Sequence, residues 1–293
     1  MNRLTTPQLF VLAVLIWGTT WHAIVYQLAV GTPELGVTLR FALAGAVALA
    51  WSRWQGVPLA LPWRQHGRLA LQGAFMYSLS YLCVYHAELH VPSGLVAVGY
   101  SASPLLSGLA AFWLWGTPVS RRFLAGGALG MLGVALIFWP ELAASQARPT
   151  AGWGLAFTVG AVLLSTVGSL SASRNGTHAL PFWVSLGWSM VYGAALSGLV
   201  MAVQGQGLPA WPTAASWWWS LAYLAGAGSL LAFGAFLTLQ QRIGPGRAAT
   251  IGVMTPVVAL AVSTVFEGYR PNAYTAAGAL AAVVGNWWML KRA

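Results

Sequence analysis

His86 and His90 stand four residues apart with Glu88 between them, the spacing at which two imidazoles on one helical face can hold a divalent cation. They fall where an apolar run ends and no clear third ligand is supplied, so interfacial histidines are the simpler account and no metal is expected. The chain has no Asp, no Gly-x-Ser-x-Gly elbow and no phosphate-binding glycine loop with Lys. No catalytic constellation, no cofactor and no enzyme are therefore expected. What remains is binding chemistry. Trp17 and Trp21 share a helical face with Thr20 and Ile24, and Tyr77, Tyr81 and Tyr85 recur at i, i+4, i+8. Tyr100, Ser101 and Ser103 follow, Ser165, Ser169 and Ser173 make a small polar face, and Ser229, Phe233 and Phe236 form a mixed one. Rings that stack beside hydroxyls that donate suit a small organic molecule with an apolar body and a polar end.

The elements that carry these residues are set by composition. In 293 residues, 58% are hydrophobic and only 6% charged, far outside the range of soluble domains. Apolar runs of transmembrane length recur along the chain and none alternates as the strands of an outer-membrane barrel do. The expected fold is an all-α integral membrane protein of ten transmembrane helices, near 8–28, 32–51, 69–87, 93–115, 122–139, 152–171, 182–203, 217–239, 248–266 and 273–290. Thr5 and Thr32 precede Pro7 and Pro33 as helix caps. A signal peptide is the competing account of the first run, but Trp17, Trp21, His22 and Tyr26 make a poor signal core. The single cysteine, Cys83, excludes an internal disulfide. The bases behind the net charge of +10 are scattered between apolar runs, and no nucleic-acid partner is implied.

Those bases report topology instead. Arg3, Arg53, Arg64, Arg68, Arg121, Arg122, Arg174, Arg242, Arg247, Lys291 and Arg292 fall on one side of a ten-helix arrangement, and only Arg148 and Arg270 on the other. Eleven against two puts the N- and C-termini in the cytoplasm by the positive-inside rule. The sequence is also a duplication. Gly116, Gly126 and Gly133 follow Pro104 at the spacings at which Gly268, Gly278 and Gly285 follow Pro256, and Pro33 with Gly45 echoes Pro181 with Gly193. Residues 1–145 and 146–293 are read as two five-helix repeats, and an odd helix number turns the second upside down, a 5+5 inverted repeat with a midplane site between the halves. Pro104 and Pro256, each inside an apolar run, would serve as bending points.

Depth separates the aromatic residues. Trp51, Trp54, Trp63, Trp139, Trp153, Trp211, Trp217, Trp218, Trp219, Trp287 and Trp288 fall at span ends, as headgroup anchors do. Trp17, Trp21, Tyr77, Tyr81 and Tyr100 lie deeper, where a hydroxyl needs a partner and a wet cavity is one supplier. Helix packing is the alternative, since small residues let helices approach and buried tyrosines bond neighbouring carbonyls. Arg40 is the one charge well inside a span. It could snorkel outward, pair with Glu88 or meet a substrate carboxylate.

Trp17-Gly18-Thr19, Pro33 with Arg40, Ser103-Pro104, Thr255-Pro256 and the paired glycines 126/133 and 278/285 together resemble the drug/metabolite transporter superfamily in its ten-helix EamA-type branch. Within it the aromatic richness and the Trp-Gly-Thr-Thr-Trp opening are most similar to bacterial aromatic amino-acid exporters. The resemblance implies alternating access around a central, largely apolar cavity. Thr117 and Tyr269 stand where many relatives carry a glutamate, so no role of that acid transfers, nor is there a counterpart to the membrane-embedded glutamate of the four-helix multidrug exporters. The expectation is a monomeric multi-pass protein of a bacterial inner membrane, in contact with the lipid bilayer, that exports amino acids with aromatic or other apolar side chains, without obligatory proton coupling. Trp17, Trp21, Tyr77, Tyr81, Tyr100 and Phe233 would hold the side chain, and Ser165, Ser169 and Ser229 the polar end. Sugar-phosphate or nucleotide-sugar exchange, proton-coupled drug export and a non-transporting membrane subunit are the alternatives.

Overall fold

The computed structural model describes residues 4–143, 150–176, 180–204 and 211–290. Arg3, Arg148, Lys291 and Arg292 of the charge count lie outside these residues, as does the expected boundary between 145 and 146. The described chain is helical, with no strand. Helix α1 (Thr6–Leu28) opens on a capping box in which Thr5 and Gln8 bond each other's backbone amides. Helix α2 (Pro33–Trp54) opens with Thr32 accepting from the Leu35 amide. Then come α3 (63–88), α4 (Ser93–Trp115), α5 (Arg121–Ala143), α6 (Ala151–Gly176), α7 (Phe182–Val203) and α8 (Ala215–Ile243). A helical turn, Pro245–Ala248, leads into α9 (Ile251–Phe266), and α10 (Ala273–Leu290) closes the described chain. Helices α1, α2, α4, α6, α7 and α8 are long and apolar enough to cross a membrane, with a shorter apolar stretch, Met254–Phe266, in α9. Helix α3 begins at Trp63, earlier than hydropathy suggests, because Arg64 and Arg68 sit in its polar first turns.

Backbone contact through glycine sets the packing. In the α5/α10 pair Gly126 lies against the Gly285 carbonyl and Gly133 against that of Gly278, and each contact is returned. A Cβ at any of the four would strike the partner backbone. Helices α2 and α7 meet the same way, with Gly45 facing the Gly187 carbonyl and Gly187 facing that of Gly45. These two pairs flank a central group of α1, α3, α4, α6, α8 and α9. The bundle's outside is apolar: Trp113, Leu114, Val203 and Val265 are all exposed, an exterior suited to lipid. Trp217 departs from the belt expectation and is fully buried against Leu35 and Leu221. Three consecutive tryptophans on one helix point roughly 100° apart, so one must turn inward, while Trp218 stacks on Trp211 and Trp219 stays exposed.

Three irregular stretches interrupt the helices. Ala74–Leu79 in α3 and Leu224–Leu231 in α8 are π-helical. Ala74 stands to Leu224 as Pro33 stands to Pro181 and Pro104 to Pro256, to within two residues. In α4, Tyr100–Ala102 tightens to a 3-10 turn, after which Pro104 occupies the first turn of the second piece, Ser103–Trp115. Pro256, its sequence counterpart, stays inside α9. A proline in a first turn forfeits no helical bond, whereas one in the interior does, so Pro256 is the costlier of the two.

Candidate functional site

A cavity of about 100 Å3 lies among the central helices. Helix α1 contributes Trp17, Thr20, Trp21 and Ile24, one 3.6-residue face of a helix. Helix α4 adds Tyr100, Ser103 and Ser107, α6 adds Ser165, Thr166 and Ser169, and α8 adds Phe233 and Phe236. Met76, Tyr81 and Val84 come from α3, Gly252 and Thr255 from α9, and Arg40 alone from α2. Of the residues expected from sequence to meet a substrate, Trp17, Trp21, Tyr81, Tyr100, Ser165, Ser169 and Phe233 therefore share one wall. Tyr77 and Ser229 do not reach it: both are fully buried, Tyr77 between Phe41 and Phe233. Pro104 and Pro256 are also absent from the wall, but their neighbours are not. Gly252 faces the Tyr100 carbonyl so closely that a Cβ there would stand 2.7 Å from it, so the two proline-bearing helices touch at the cavity's edge.

The rings are held in edge and tilted contacts. Trp17 packs on Phe233 at 5.0 Å and on Phe236 at 5.3 Å, and Trp21 on Tyr100 at 5.3 Å. The π-helical stretch of α8 supplies the anchors for Trp17 and Arg40. Widening the helix frees carbonyls from the usual ladder: that of Gly228 accepts from Trp17 Nε1 at 3.1 Å, and that of Leu224 accepts from Ser229 Oγ, five residues on. Ser229 Oγ in turn accepts from Arg40 Nε at 3.0 Å. Ser229 thus acts on the cavity through Arg40.

Arg40 neither snorkels nor pairs with Glu88. It is 1% exposed, its guanidinium lies 4.6 Å above the Tyr81 ring and 5.2 Å above that of Phe41, and both terminal nitrogens lack a hydrogen-bond partner. Trp21 Nε1 and Ser103 Oγ are likewise buried and unpartnered. No acidic side chain lines the cavity among the described residues. Glu34, Glu88 and Glu267 lie instead near the helix ends opposite the α1 N-terminus. Glu267 pairs with His22 at 2.9 Å and accepts from the Ser93 amide and hydroxyl; Glu34 pairs with His86 at 2.9 Å. His86 and His90 both stack with the Phe157 ring, and among the described residues no three potential ligands come together to hold a metal.

Sequence reasoning passed over Met76, Val84, Ile251 and Thr255, while Phe236, on the face read with Phe233, does line the cavity. The first three are apolar and carry no signal that separates wall from core; Thr255 spends its hydroxyl on the Ile251 carbonyl. Thr20, which shares the Trp17/Trp21 face, and Ser103 were within reach of periodicity.

A crystal structure titled only as that of a protein superposes with a TM-score of 0.74 at 21% identity, covering 96% of both chains, which shows a shared fold. Protein YedA of Escherichia coli K12, described as an uncharacterized inner membrane transporter, is 27% identical over 87% of this chain and 80% of its own. The Synechocystis uncharacterized transporter sll0355 is 27% identical over 85% and 78%, and Protein PecM of Dickeya dadantii 25% over 86% and 80%. Residues 6–139 and again 151–291 match one family description. With apolar spans, a walled central cavity and this double match, the chain is a multi-pass membrane protein that belongs to the EamA-like transporter family.

Proposed function

We propose that this protein is a secondary transporter that exports amino acids with aromatic or other apolar side chains from the cytoplasm across a bacterial inner membrane. All ten helices cross the bilayer as two inverted five-helix repeats, 1–145 and 146–293, with both termini cytoplasmic. The double family match and the reciprocal α5/α10 glycine contacts support the repeat, and the charge asymmetry supports the orientation. The observation that carries the substrate reading is the ring-rich wall. Trp17, Trp21, Tyr81, Tyr100, Phe233 and Phe236 enclose a space of about 100 Å3, of the order of the cavity of about 150 Å3 that admits a benzene ring. Tyr77 and Ser229 support that wall from behind, and Ser165 and Ser169 offer hydroxyls to the substrate. Bending at Pro104 and Pro256, beside the Gly252–Tyr100 contact, exposes the cavity alternately to the two sides. With no acid in the wall among the described residues, transport follows the substrate gradient and a monomer suffices.

Proteoliposomes preloaded with labelled phenylalanine test this. Efflux should exceed that of protein-free vesicles, fall at least roughly tenfold in Trp17→Ala and Tyr81→Ala, and fail to concentrate substrate on an imposed pH difference. Absent efflux, or efflux indifferent to both variants, refutes the assignment, and accumulation against the gradient refutes the facilitative part.

A further inference from the structure

We infer that the cavity selects its substrate by a carboxylate bound at Arg40 and is indifferent to the amino group, so that its ligand class is the aromatic carboxylate, amino acids included. The inference rests on reading this cavity as a substrate site.

The polar atoms that the fold leaves unused at the cavity carry the argument. Arg40 Nη1 and Nη2, Trp21 Nε1 and Ser103 Oγ are buried without a hydrogen-bond partner, and all three residues bound the cavity. The guanidinium and indole nitrogens can only donate; the hydroxyl can do either. A buried set of idle donors calls for an acceptor-rich group, and a carboxylate offers roughly four lone-pair sites and fits the guanidinium fork through two parallel bonds. Ser229 takes Nε at 3.0 Å, and the two terminal nitrogens, with the Tyr81 and Tyr85 side chains beside them, keep N–H donors for the ligand. The stacked ring of Tyr81, 4.6 Å from the guanidinium carbon, fixes its plane.

An ammonium group finds no such reception. No acidic side chain lines the cavity among the described residues. The acceptors on offer are neutral: the Thr20, Ser165, Thr166 and Thr255 hydroxyls, each donating to a carbonyl of its own helix, present only oxygen lone pairs, and Ser169 Oγ already accepts from Gln240 Nε2 at 2.7 Å. Any cation also stands in the field of Arg40. The amino group of an amino acid is therefore tolerated beside its carboxylate but contributes little selectivity, and an amine without a carboxylate is repelled. A ring fits the aromatic wall in each case.

Calorimetric titration of the purified, detergent-solubilised protein with phenylalanine, hydrocinnamate (which lacks the amino group) and phenethylamine (which lacks the carboxylate) separates the possibilities. Phenylalanine and hydrocinnamate should bind within roughly threefold of each other, and phenethylamine at least roughly tenfold more weakly. Arg40→Gln should weaken both carboxylates by roughly 10- to 100-fold, and Arg40→Lys should recover part of the loss. Phenethylamine binding as tightly as phenylalanine, or hydrocinnamate failing to bind where phenylalanine does, overturns the inference and leaves the amino-acid reading standing. Hydrocinnamate binding without phenylalanine upholds it while refuting that reading. Binding of neither carboxylate refutes both. The wild-type titrations decide the matter even where an Arg40 variant fails to fold.

Discussion

Trp17→Phe combined with Ser229→Ala asks whether one irregular turn holds both the ring and the charge of the cavity. Trp17→Phe keeps a ring against Phe233 and Phe236 but deletes the donor that reaches the Gly228 carbonyl at 3.1 Å. Losing a neutral hydrogen bond costs about 1 kcal/mol, rising toward about 3 kcal/mol where the buried carbonyl finds no other donor. Ser229→Ala deletes the acceptor of Arg40 Nε and the donor to the Leu224 carbonyl; the charge-assisted bond alone is worth roughly 1.5–3 kcal/mol. Gly228 and Ser229 are neighbours in the π-helical stretch of α8. Once either anchor goes, that stretch relaxes, and the second loss costs less. The double variant should then fall short of the summed single losses by at least about 0.5 kcal/mol. Unfolding free energies of the four proteins in mixed micelles, followed by far-ultraviolet circular dichroism, measure this directly. Additivity within roughly 0.3–0.5 kcal/mol would mean that Trp17 and Arg40 are held independently, and the account of the π-helical stretch as a common support would be wrong.

Gly252→Ala should slow phenylalanine efflux in proteoliposomes more than it lowers calorimetric affinity: its Cβ would stand 2.7 Å from the Tyr100 carbonyl, and the helices must part by roughly 0.7 Å to restore ordinary contact near 3.4 Å. Gly133→Ala should destabilise the fold by about 1–3 kcal/mol through overpacking, whereas Gly67→Ala, with nothing within 4 Å, should stabilise it by about 0.5–1 kcal/mol; thermal unfolding of the two separates them by sign. Trp217→Ala should cost about 3–5 kcal/mol of stability as a buried large-to-small change, while Trp219→Ala, 76% exposed, should leave the folded protein's unfolding midpoint nearly unchanged.

Local signals made the helices legible. Thr5 and Thr32 cap α1 and α2 as their spacing before Pro7 and Pro33 suggests, and the glycines at 126, 133, 278 and 285 meet across α5 and α10 as small residues at recurring spacing do. The cavity was legible where one regular helix carries it: Trp17, Thr20, Trp21 and Ile24 share a face because α1 is unbroken. It was not legible across the π-helical stretch of α3. A stripe read as Tyr77, Tyr81 and Tyr85 assumes 3.6 residues per turn, but the widened turns at Ala74–Leu79 rotate Tyr77 away, and only Tyr81 reaches the cavity. Tyr85 turns to Gln27, donating to its Oε1 at 2.7 Å. Hydropathy carries no trace of such widening, since the composition is the same on either side. Arg40 was conspicuous by its charge, yet nothing in its neighbours along the chain distinguishes an outward side chain from one stacked on Tyr81, a partner brought in by another helix.

The α5/α10 contact has a property beyond its closeness. Gly126 and Gly278 are counterparts in the two halves of the sequence, as are Gly133 and Gly285, and each glycine meets the counterpart of the other. Such an isologous surface is its own complement. It needs no linker to form, because everything that recognises the partner is already present on a single half. What the joined chain adds is not the affinity of the two halves but the freedom to differ, so that one of two matched π-helical stretches supports Trp17 and Arg40 while its twin in α3 turns Tyr77 into the core.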